Sequence, residues 1–147
     1  MMDRVIRSAM VGRALGVLTA ILLVSGSLVA AGDDDLLPGY TGKTLPAGWQ
    51  TDSTMLAAGK DIYEGKLKPE VNCAKCHGGD GRPTRLGKGA PDLSDAKEGR
   101  THTDGQWFWR LSEKKAGSTM PGYKDKLTEE QRWQVLAYLR ILTQSGK

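Results

Sequence analysis

Val135, Tyr138, Leu139 and Leu142 stand at i, i+3, i+4 and i+7, the spacing of one buried face of an α-helix. Thr128 precedes this stripe and Gln131 follows it by three, the pattern of a capping box. A last helix is therefore predicted from Thr128. A second is predicted from Thr103, where Gln106 completes another such box, through Trp107, Phe108 and Leu111 to near Gly117. A first is predicted from Met55 to about Glu64, with Leu56, Gly59 and Tyr63 on one face and Gly65 as the stop. No stretch alternates as a strand would. Gly78 to Gly99 carries six glycines and two prolines. The expectation is an all-α fold of three main helices joined by glycine-rich loops.

The N-terminal third follows other rules. Arg4, Arg7 and Arg13 precede an uncharged run of 18 residues, Ala14 to Ala31. Val29-Ala30-Ala31 fits the small-residue rule for cleavage, so residues 1–31 read as an export signal. The run also approaches membrane-spanning length, which leaves an uncleaved anchor open. Either way the rest of the chain is exported, to the periplasm. Residues 32–54 are rich in Gly, Pro and turn formers and read as an extended arm or linker. Trp49 is the candidate to staple it to the domain at 55–147.

Of 147 residues only one, Phe108, is a phenylalanine, while 19 are glycine. That is a thin supply for a self-sufficient core in a small domain, and a large apolar cofactor would make up the shortfall. Without residues 1–31 the 21 Lys/Arg fall to 18 and the 17 Asp/Glu to 16, a net charge of +2. Bulk charge does not suit a nucleic-acid binder.

Both cysteines and one of the two histidines fall in NCAKCHGGDG, Asn72 to Gly81. A structural zinc site wants four Cys or His ligands, and His102 lies 25 residues past His77. A redox dithiol wants a βαβ context, and none is visible. A disulfide across two residues closes too small a loop to constrain much. Cys73-Ala74-Lys75-Cys76-His77 is instead the C-x-x-C-H pattern of covalent haem attachment. Each thiol adds across one vinyl group, and the next residue, His77, is thereby placed as an axial ligand. One motif implies one haem c.

For the second axial position the candidates are Met120, His102 or no stable ligand. A lone methionine is ordinarily core filler. Met120, however, sits in the polar loop GSTMPGY, and Pro121 and the glycines beside it let that loop lie against a flat macrocycle.

The residues CAKCHGGDG, GAPDL and TMPGYKDKLTEEQRWQVLAYL resemble a class I c-type cytochrome of the small bacterial monohaem kind, over about Met55 to Leu142. The resemblance implies that fold, wrapped around one covalent haem. It implies that the first and last helices cross through Gly59 and Tyr63 on one side and Tyr138 or a neighbour on the other. It implies that the Pro91 carbonyl accepts a hydrogen bond from His77 Nδ1, and that Trp107 or Trp109 meets a haem propionate. The function implied is one-electron transfer without catalysis, between redox proteins of a respiratory chain. A haem subunit of a larger dehydrogenase or of a membrane oxidase or reductase is the alternative. A haem enzyme or gas sensor with a labile distal ligand is a third reading. Lys75, Arg82, Arg85, Lys88 and Lys124 are candidate docking residues for an acidic redox partner, although Asp80, Asp92, Asp95 and Asp125 are interspersed. Membrane contact is expected only if residues 1–31 are retained.

Overall fold

A computed structural model describes residues 38–145. The signal or anchor at 1–31 and the start of the arm lie outside the described residues. The described chain forms five helices: α1 (Ser53–Tyr63), α2 (Ala74–His77), α3 (Ala96–Thr101), α4 (Asp104–Ser112) and α5 (Glu129–Ser145). No strand occurs among the described residues, and no helix there is long and apolar enough to cross a membrane.

The three long helices are the predicted ones, with shifted ends. α1 begins two residues before Met55, because the Asp52 carboxylate accepts from the Thr54 and Met55 amides at 2.8 and 3.1 Å and satisfies donors that the first turn leaves unpaired. Both capping boxes form. Thr103 and Gln106 exchange side-chain bonds at the start of α4. Thr128 and Gln131 do so before α5. α4 stops at Ser112, short of Gly117, because Glu113 turns to an extended conformation (φ −112°, ψ 143°) and opens a loop. Two short helices were not predicted: α2, just before the glycine-rich region, and α3, at its end. α3 starts where Asp95 caps the Lys97 amide.

α1 and α5 cross as expected. A Cβ at Gly59 would overlap the Gln134 carbonyl and sit 3.2 Å from Tyr138 Cβ. The helices approach this closely only because that atom is missing. Tyr63 and Tyr138 then meet edge to face, centroids 5.4 Å apart. Gly59→Ala is expected to cost about 2–3 kcal/mol by forcing the helices apart, read as a lower urea midpoint with an unchanged slope.

The core gathers Ile62, Val71, Leu93, Leu127 and Leu136, with Phe108 stacked on Trp133 at 4.0 Å. Arg140 of α5 ties α3 and α4 to α5. It pairs with Asp104 at the start of α4 (2.5 Å) and donates to the carbonyls of Gly99 and His102.

The described part of the arm is not an extended linker. It runs as turns over 38–42 and 47–51, and Tyr40, Leu45 and Trp49 pack against the core. Trp49 does staple it, as expected, but two further residues share that role. The Leu45 amide also donates to Asp104 Oδ2 at 2.9 Å, and Lys43 pairs with Glu129 at 3.0 Å.

Candidate functional site

Cys73, Cys76 and His77 come to one face through a single helical turn. In α2 and its cap they stand at i, i+3 and i+4, the positions that share a side of a helix. So short a helix needs outside support at both ends. Asn72 Oδ1 accepts from the Lys75 amide at 2.9 Å. At the other end the Thr84 hydroxyl donates to the Lys75 carbonyl and its amide to the Cys76 carbonyl, both at 2.8 Å. Tyr63, fully buried in α1, donates its hydroxyl to the Gly78 carbonyl at 2.7 Å. Tyr63, expected at the crossing of the first and last helices, therefore also lines the cavity and anchors the end of α2.

Met120 arrives from elsewhere. The chain leaves α4 at Glu113 and returns at Tyr123 and Lys124, whose amides donate to the carbonyls of Leu111 and Ser112 at 2.9 and 3.1 Å. Gly122 lies so close to this strand-like base that a Cβ there would stand 2.6 Å from both Ser112 O and Lys114 N. Between these pinned ends the loop carries Met120, half-buried, with its amide held by Ser118 Oγ at 3.1 Å.

These parts enclose one cavity of about 350 Å³, within the usual range for a ligand site. Cys73, Cys76 and His77 line it together with Pro91, Trp107 and Met120. Its floor is apolar, with Leu93, Leu111, Val135 and Leu139. Trp109, the alternative to Trp107, does not line it, nor does His102, the alternative to Met120. His102 instead lies edge-on to Trp107 at 5.9 Å and 3.4 Å from Glu98.

Electrostatics separate the groups. Burial holds the His77 imidazole below the usual histidine range, which favours the neutral ring that can donate to a metal. The Pro91 carbonyl acts in the opposite sense, but no formed hydrogen bond reaches Nδ1. The expected Pro91 contact is thus present as a neighbour and short of a bond. Burial pushes the Cys73 thiol up to about 12, and Cys76 beside it adds to the effect. That is the reverse of a reactive thiolate.

The fit to a haem can be judged from the polar atoms left over. Among the described residues three buried side-chain atoms have no partner: His77 Nδ1, Trp107 Nε1 and Arg110 Nε. All three residues line the cavity. An unpaired buried donor is costly, so Trp107 Nε1 and Arg110 Nε call for a polar guest, while His77 Nδ1 has the Pro91 carbonyl as its neighbour. Trp107 and Arg110 stand three apart on α4 and would offer their N–H groups to its carboxylates. The apolar floor would take a macrocycle. Arg110 is the residue that sequence reasoning missed; its i+3 spacing from Trp107 was the available signal.

The proposed docking residues lie on the surface. Lys75, Arg82, Arg85 and Lys88 are exposed, and Lys88 lines the cavity beside Leu86, which is 66% exposed. Lys124 is also exposed but is already paired with Glu113 at 3.1 Å.

Known proteins resemble the chain as follows. The c-type cytochrome KustC0563 is 29% identical, with 60% of this chain and 98% of that one covered and a TM-score of 0.46. A chain of the Kuenenia stuttgartiensis reducing HAO-like protein complex Kustc0457/Kustc0458 is 25% identical, with 62% and 44% covered and a TM-score of 0.48. No curated protein matches. The cytochrome c family profile matches residues 56–143, from α1 to the end of α5. The chain belongs to the cytochrome c family, which holds haem c covalently and transfers electrons.

Proposed function

We propose that Cys73 and Cys76 carry the two thioethers of a single haem, that His77 and Met120 are its axial ligands, and that the protein is an exported one-electron carrier rather than an enzyme. One observation carries this reading. The half-buried thioether of Met120 lines the same cavity as the Cys73–His77 turn, although it lies 43 residues past His77. A bound haem supplies a reversible one-electron couple. Around it the chain's work is to hold still. Tyr63 and Thr84 brace the His77 turn, and the pinned base of the Met120 loop limits movement of the sulfur. Soft, neutral sulfur favours the reduced state and raises the potential. With both axial positions filled by the chain, a substrate has no place to bind the metal.

The spectrum of the purified protein tests this reading. Haemochrome analysis is expected to give one haem per chain. The ferric form should show the weak far-red band of methionine ligation, and the ferrous form should bind carbon monoxide slowly. Rapid carbon monoxide binding without that band would point to the enzyme or sensor reading. An intact mass lacking residues 1–31 is the result expected for a periplasmic protein. The full mass would make it an anchored one, and a fixed co-purifying partner would make it a subunit.

Electrons are proposed to leave near Leu86, where exposed apolar surface at the cavity mouth is bordered by Arg85 and Lys88. Lys75 and Arg82 add positive charge, so an acidic redox partner is favoured. Electron-transfer rates with such a partner are expected to fall about tenfold or more from low to high salt, as screening shortens the reach of these charges. Rates independent of ionic strength would remove the basic rim from the docking site.

A further inference from the structure

The arm before α1 reaches the Met120 loop at one point. Tyr40 lays its ring against Phe108, with centroids 6.1 Å apart. Its hydroxyl donates to Glu113 Oε1 at 2.5 Å, across 73 residues of sequence. Glu113 is the first residue of the loop, and it lines the cavity. The same carboxylate oxygen accepts from Lys124 Nζ at 3.1 Å, at the loop's other end. Tyr40, Glu113 and Lys124 thus form a clasp across the mouth of the loop.

We propose that the arm is a strap and Tyr40 a positioning residue, which by closing this clasp sets how firmly the Met120 sulfur is held at the axial position. The proposal rests on the assignment of Met120 as a ligand. The loop's own bracing explains why the base matters. Beyond its base, its interior shows one backbone bond, Ser118 N–H to Lys115 O at 3.1 Å, and the Ser118 side-chain contact with Met120. Lys114, Lys115, Ala116 and Gly117 are exposed. With so little holding the apex, the position of Met120 follows the base. The strap's remaining contacts go to the helices. Leu45 bonds Asp104 of α4, Lys43 bonds Glu129 of α5, and the Tyr40 carbonyl lies against Gly105, where a Cβ would not fit. The arm is therefore fastened to the rigid body and presents the Tyr40 hydroxyl to the loop. A bond to an ionised carboxylate is stronger than a neutral one, and this one is half-buried. Its loss is large enough to shift a ligand-exchange equilibrium without unfolding the domain.

Tyr40→Phe in the full-length haem-loaded protein keeps the ring on Phe108 and removes only the hydroxyl. Imidazole, which competes with methionine for ferric haem, serves as the probe. The variant is expected to bind imidazole at least about tenfold more tightly, the lower end of what one hydrogen bond to a charged group is worth, with a thermal midpoint close to that of the parent. Amide hydrogen exchange over residues 114–120 should quicken by a similar factor. Lys43→Met, which cuts the arm's bond to Glu129 but not the clasp, should leave both readouts unchanged. Parental imidazole affinity and parental exchange rates in Tyr40→Phe would overturn the proposal. If the parent lacks the far-red methionine band, the ligand assignment itself fails. The exchange rates still judge whether Tyr40 holds the loop, so the two failures are told apart.

Discussion

Cys73→Ser combined with Cys76→Ser is expected to yield a chain without covalent haem and without a cooperative fold. The cavity of about 350 Å³ is floored by Leu93, Leu111, Val135 and Leu139. A haem seated there would take this apolar surface out of water, a gain of about 25 cal/mol per Å², and without the haem that burial is lost. A small domain has a total stability of about 5–15 kcal/mol. Losing that burial takes a large share of what holds the fold, and the unpaired Trp107 and Arg110 donors add to the loss. A denaturing gel stained for haem should show no band for the variant, and its thermal melt should be broad or absent. A variant with a sharp melt near the parental temperature would mean that the helices pack without the cofactor.

Met120→Ala is expected to leave the fold and the covalent haem in place and to change what the protein does. Met120 is half-buried in a loop and only borders the core, so its side chain contributes less to packing than a central residue would. Its loss removes the soft sulfur that favours the reduced state. Axial ligands command a span of about 0.8 V, and a drop of roughly 0.1–0.3 V in midpoint potential is expected. The far-red band should vanish, and carbon monoxide should bind the ferrous form at least about tenfold faster, since one coordination position is then open to small ligands. An unchanged potential, measured by redox titration, would remove Met120 from the axial site.

Much of the candidate site was legible because its logic is local. Cys73, Cys76 and His77 fall within five residues, and one turn of helix is enough to bring them to one side. The capping boxes at Thr103 and Thr128 are equally local, since donor and acceptor lie three residues apart. The close approach at Gly59 was legible through the resemblance to class I c-type cytochromes, which implies that the first and last helices cross there. Where reading from sequence fell short, the cause was competition. The glycines between 78 and 99 hid α3, whose cap at Asp95 outweighs them. The apolar run after Thr103 suggested a helix to Gly117, but the backbone at Glu113 is drawn into the loop base by the returning Tyr123 and Lys124.

The arm marks the boundary most clearly. Its composition of glycine, proline and turn formers disfavours regular structure, and that much holds: residues 38–52 form two turns, at 38–42 and 47–51, joined by irregular chain. Composition says nothing of where turns dock. That Tyr40 meets Phe108 and Glu113, 68 and 73 positions away, is decided by the surface that α4, the Met120 loop and α5 create once packed. The choice of Trp107 over Trp109, and the pairing of Trp107 with Arg110, has the same origin: two tryptophans in one helix differ only in which side faces the cavity. Residue order alone settles the three long helices, the two capping boxes and the gathering of Cys73, Cys76 and His77 on one side of a turn, because each rests on spacings of four residues or fewer. The shape of the cavity, the donors left waiting in it and the clasp on the Met120 loop belong to the folded chain, because their contacts span tens of residues and carry no period in sequence.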